Sequence, residues 1–126
     1  IGFPLMITGG LRVAEDFARA MVMGADAKAW SNSALQAIGC LGMIACRTNN
    51  CPVGIATQKE NLRQRLIIQS SSKQLANFFE ATTDLMKVIS RSCGYDDLSK
   101  FNQSDLSTFN WFTHKLAGIK YAGVNP

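Results

Sequence analysis

Histidine is nearly absent from this chain, His114 being the only one in 126 residues. A metal centre built on several imidazoles is therefore excluded. Long hydrophobic runs are missing too. Arg19, Asp26 and Lys28 interrupt the most apolar region, so nothing approaches the roughly 18 apolar residues of a membrane span. The chain opens with no secretory signal pattern, and the expectation is a soluble, cytoplasmic protein whose thiols stay reduced. Charge is sparse at 17 % against 47 % hydrophobic residues, which excludes disorder and suits one globular domain. Basic runs are also lacking. The net charge of +4 comes from Lys and Arg scattered among acidic residues, as in Lys59-Glu60-Asn61-Leu62-Arg63, and no basic stripe with interleaved aromatics is present. A nucleic-acid partner is not expected. Because Ile1 stands directly before an apolar run, the chain reads as a piece of a longer one.

What is there is cysteine, unevenly spread. Cys40, Cys46 and Cys51 follow the spacing C-x5-C-x4-C, with Pro52 after the last, whereas Cys93 stands far downstream. Thiolates grouped this tightly hold metal centres, and a cysteine followed by proline also closes one bacterial ferredoxin pattern. A disulfide has no obvious pairing scheme here. Structural zinc is the stronger rival, yet zinc ligand pairs are usually two to four residues apart and four donors are needed. Three thiols suit a three-iron cluster, or a four-iron cluster with one non-cysteine ligand. Cys93 reads as a helix-end thiol rather than a ligand.

The apolar run Phe3–Thr8 predicts a strand buried on both faces, ending at Gly9-Gly10. Helical spacing of Val13, Ala14, Phe17, Ala18 and Met21 predicts a helix over 11–23, with Glu15 and Asp16 at its start and Gly24 at its end. A short strand over 26–30 and a helix over 34–38, opened by Ser31, Asn32 and Ser33, complete a β-α-β-α order typical of parallel α/β folds. Past the cysteines no further strand is convincing. A long helix is predicted over 71–93 with a Ser71/Gln74 capping box, its Phe78 and Phe79 serving as core. A helical turn near 97–101 and a helix over 105–116 follow.

Gly9 and Gly10 sit where a strand turns into a helix, so their backbone can approach an anion. Ser31 and Asn32 occupy the same place after the second strand. Paired anion turns on consecutive barrel strands suggest a phosphate site of the kind formed after strands 7 and 8 of a (β/α)8 TIM barrel. A phosphate-bearing cofactor beside the cysteines points to flavin mononucleotide, FMN, next to an iron–sulfur cluster.

The strings GGLRVAEDFARAMVMGADA, ALQAIGC and CPVGIATQ closely resemble the C-terminal part of the FMN-binding domain of glutamate synthase large subunits and related proteins. The resemblance runs from Leu5 essentially to the end. It implies the last two βα units of a TIM barrel in residues 1–58, with an iron–sulfur cysteine loop, followed by a helical C-terminal extension over 59–126. It further implies FMN, a [3Fe–4S] cluster on Cys40, Cys46 and Cys51, and a phosphate turn at Gly9 and Gly10. Ser31 and Asn32 match more loosely, since the family usually carries a Gly-Thr-like pair there, and Arg47 replaces a more usual His or Asn. The implied reaction forms glutamate from 2-oxoglutarate and glutamine-derived ammonia, with electrons from a donor subunit or ferredoxin, in an oligomer. No catalytic residue can be assigned, and the fragment alone is expected to be inactive. The other class of function is a stand-alone metal-binding or electron-carrier module that docks on a partner.

Overall fold

The computed structural model describes residues 2–123. Its first strand, β1 (Met6–Thr8), pairs in parallel with β2 (Ala27–Ala29), Met6 opposite Ala27 and Thr8 opposite Ala29. Between them runs α1 (Ala14–Val22), so the predicted strand–helix–strand unit is present. Its start is set by Asp16, whose carboxylate accepts the Arg12 and Val13 N–H groups at 3.0 and 3.2 Å and so pairs two orphan donors. The apolar stripe of α1 is buried through Ala14, Phe17, Ala18, Ala20 and Val22. Phe17 is the largest fully buried side chain among the described residues.

β1 differs from the expectation of a strand buried on both faces. Leu5 and Met6 are exposed and only Ile7 is half-buried, because among the described residues the sheet has two strands and covers neither side fully. The apolar run is there, but its partners are not.

Contacts divide the chain into two compact units, residues 1–29 with 83–126, and residues 30–82. In the first, Ala18, Val22 and Phe101 form a buried cluster with Ile89, Tyr95, Leu98 and Leu106 packed against it. The second contains α2 (Asn32–Ala37), the cysteine loop, α3 (Glu60–Arg63) and the start of α4 (Ile68–Ser92). Trp30 meets Phe78 and Phe79 edge-on at 5.7 and 4.9 Å, but of the pair expected in the core Phe78 is only half-buried and Phe79 is exposed.

α4 begins earlier than the Ser71 box suggests. The Ser71 N–H already donates to the Ile67 carbonyl at 2.9 Å, a helical bond that leaves no capping role for Ser71. Its other end is as predicted: Gly94 takes φ of +85° and Tyr95 N–H closes onto the Ser90 carbonyl at 3.0 Å.

The C-terminal segment holds strands that the sequence did not announce. β3 (Ser107–Thr108) and β4 (Lys120–Tyr121) pair in parallel around α5 (Trp111–Ala117), where a helix over 105–116 was expected. Asn110 starts α5 by accepting the Thr113 N–H at 2.9 Å, which leaves 107–108 free to extend.

Candidate cofactor site

Cys40, Cys46 and Cys51 all line one cavity of about 20 Å³, walled on its apolar side by Leu41, Met43 and Ile44. All four cysteines are free thiols. Their settings differ: Cys40 ends α2's turn, with its N–H bonded to the Leu35 carbonyl at 2.9 Å; Cys46 is exposed; and Cys51 is buried at 6 % exposure. Among the described residues, no three acidic, histidine or cysteine side chains are gathered closely enough to hold a metal ion.

Cys51 is chemically distinct. The backbone N–H of Ala56, aided by those of Val53, Ile55 and Gly54, holds its thiol below the ordinary value, while burial pushes the other way. A ring of N–H groups around one sulfur favours thiolate, the form that ligates metals. The turn that presents them depends on Gly54. It adopts φ of +81°, and a Cβ placed there would lie 2.4 Å from the Leu62 carbonyl oxygen of α3. Only a residue without a side chain allows the loop to lie this close to α3.

Reading the sequence singled out the thiols but missed the residues that shape their loop. Asn49, in left-handed conformation at φ +59°, accepts Gln58 N–H on its Oδ1 at 2.6 Å. The Thr57 hydroxyl donates to the Asn49 carbonyl at 2.7 Å, and Arg65 Nη1 donates to the Pro52 carbonyl at 3.0 Å. The one local signal was Asn49 itself, a residue type that tolerates left-handed backbone.

Gly9 and Gly10 follow β1 with φ of +92° and +71°, and open space lies where their side chains would be. With Ile7, Arg19 and Met23 they line a cavity of about 360 Å³. Asp16 lines the same cavity, so Arg19 and a carboxylate both face it. The start of α1 adds less than expected, because Asp16 already occupies its Arg12 and Val13 N–H groups. Ser31 precedes α2 without capping it by a side-chain bond, and Asn32 is the exposed first residue of that helix. The glycine pair belongs to the first unit, and Ser31 and Asn32 belong to the second. Among the described residues, no helix is long and apolar enough to cross a membrane.

Comparison with known proteins matches residues 3–96 to a conserved region in glutamate synthase. The ferredoxin-dependent glutamate synthase of Cyanidium caldarium is 37 % identical over 113 residues, covering 89 % of this chain and 7 % of the relative. That of Pyropia yezoensis is 39 % identical over 94 residues, 75 % of this chain and 6 % of the relative. A glutamate synthase large subunit-like protein of Rhizobium meliloti is 31 % identical over 137 residues, 96 % of this chain and 31 % of the relative. The chain thus spans less than a tenth of the length of the first two. The match takes in the Gly9-Gly10 turn, Ser31 and Asn32, and the cysteine loop, and the chain belongs to the glutamate synthase family.

Proposed function

We propose that this chain is the cofactor-holding end of a glutamate synthase-type oxidoreductase, with an iron–sulfur cluster on Cys40, Cys46 and Cys51. The observation that carries the reading is the convergence of three free thiols on one cavity, with backbone N–H groups disposed around Cys51. A single zinc ion draws its sulfurs to about 2.3 Å and therefore against one another. A structural zinc also needs four protein donors, whereas three thiolates, one per iron, suit a three-iron cluster. When bound, such a cluster supplies one-electron transfer. The chain's own part is to favour the thiolate at Cys51 through its backbone N–H groups and to line the apolar side of the cavity with Leu41, Met43 and Ile44.

Gly9 and Gly10 would hold the phosphate of FMN, their backbone approaching where a side chain would intrude. β1, α1, β2 and α2 are then the last two βα units of a (β/α)8 barrel, and the exposed faces of Leu5 and Met6 are surface that neighbouring strands would cover. The whole protein would form glutamate from 2-oxoglutarate and glutamine-derived ammonia, using two electrons. The relatives' names make ferredoxin the proposed donor.

The test is glutamate formation by the purified holoenzyme given 2-oxoglutarate, glutamine and reduced ferredoxin. The parent protein should turn over, and Cys46→Ser should lose ferredoxin-driven turnover. Full ferredoxin-driven activity in Cys46→Ser would remove the cysteines from the electron path.

A further inference from the structure

The two halves of the cysteine loop are built differently. On the Cys51 side, Asn49 Oδ1 accepts the Gln58 N–H at 2.6 Å and lies 3.0 Å from the Thr57 hydroxyl, which donates to the Asn49 carbonyl at 2.7 Å. One amide side chain thereby ties residues 49–58 into a ring, and Thr57 at its closure is buried. Arg65 adds a bond to the Pro52 carbonyl, and Gly54 is seated against the end of α3. On the Cys40–Cys46 side, Leu41, Gly42, Met43 and Ile44 are exposed and irregular, and the side-chain hydrogen bond nearest them is that from the Thr48 hydroxyl to the Ala45 carbonyl at 2.8 Å. Ile44 also holds φ of +56°, a strained conformation for a β-branched residue, at 80 % exposure. The cavity of about 20 Å³ has room for roughly one water, so a cluster enters only if a wall moves.

We infer that Asn49 is a positioning residue whose hydrogen-bonded ring holds the Cys51 turn as a prebuilt anchor, while the Cys40–Cys46 half is the wall that opens to admit the cluster. This rests on the reading that the three thiols hold a cluster. The ring keeps the 53–56 backbone facing the sulfur whether or not metal is bound, because its bonds are made entirely by the chain.

The experiment uses the purified parent protein with Asn49→Gly and Thr57→Val. Glycine removes the amide yet accepts the left-handed backbone, and valine removes the hydroxyl at similar size. In iron-free protein, above the ordinary thiol pKa of about 8.5 where access alone sets the rate, iodoacetamide labelling is mapped by mass spectrometry. Cys46 should label fast in all three proteins, and Cys51 slowly in the parent. Loss of the ring should speed Cys51 about tenfold in both variants, the fold-change expected for the lost hydrogen bonds. In cluster-loaded protein both variants should show a more negative midpoint potential, since N–H donors to a ligating sulfur favour the reduced cluster.

Unchanged Cys51 labelling in both variants overturns the inference, as does equal acceleration of Cys46 and Cys51, which would mean that the ring holds the whole fold. Rapid Cys51 labelling in the parent overturns it too. A parent that takes up no iron and sulfide overturns the cluster reading instead, and the labelling contrast still tests the ring.

Discussion

At Gly54 a single missing side chain lets the cysteine loop rest on α3, with a Cβ there 2.4 Å from the Leu62 carbonyl. Gly54→Ala should therefore destabilise by more than the about 1–2 kcal/mol of a left-handed alanine alone, which denaturant melts would measure. Asp16 makes a different prediction, one that depends on pH. The N–H of Arg12, then that of Val13, holds its carboxyl below the ordinary 3.8, against opposing desolvation. A depressed folded value means that its stabilisation is complete above the unfolded pKa and is lost as pH falls below about 4, through the folded value. Thermal melts of Asp16→Asn should be flatter than those of the parent across that acid window, and identical slopes would contradict the cap. At this scale the thiols were legible because three cysteines in twelve residues are chemically conspicuous. Asn49 and Thr57 were not, because their pairing exists only once the seven residues between them have closed into a loop.

Among the elements, α1 and α4 were readable from helical periodicity over two turns or more, and Gly94 marked the end of α4 by its backbone freedom. The start of α4 was not readable, since Ile67 and Ile68 continue a pattern that a capping-box motif only seemed to open. β3 and β4 were invisible for a simpler reason. Two-residue strands carry no alternation, and their identity comes from pairing across α5. That arrangement depends on Asn110, which takes the Thr113 N–H on its side chain while its own N–H is bonded to Thr108 Oγ1 at 3.1 Å. Asn110→Ala should cost about 1 kcal/mol and loosen α5 selectively. Hydrogen exchange should show faster amides at the start of α5 with α4 unchanged, and uniform acceleration would contradict a local cap.

For the whole molecule, the proposed barrel requires that apolar surface be covered by chain beyond these strands. Phe3 is 93 % exposed, and in the same unit Leu116 is 91 % exposed, with Phe109 and Phe112 exposed as well. The 126 residues expressed alone should associate, or bind a hydrophobic dye strongly, whereas a longer protein that carries them should do neither. Gel filtration of both would decide. The family was legible because the glycine turn and the cysteine loop fall in one ordered series, while the barrel stays a proposal because two strands are too few to close a sheet. Whether Cys40, Cys46 and Cys51 hold an iron–sulfur cluster is decided by metal and acid-labile sulfide analysis of anaerobically purified protein. About three irons and four sulfides per chain are expected, lost in Cys46→Ser. Zinc without sulfide would contradict the cluster.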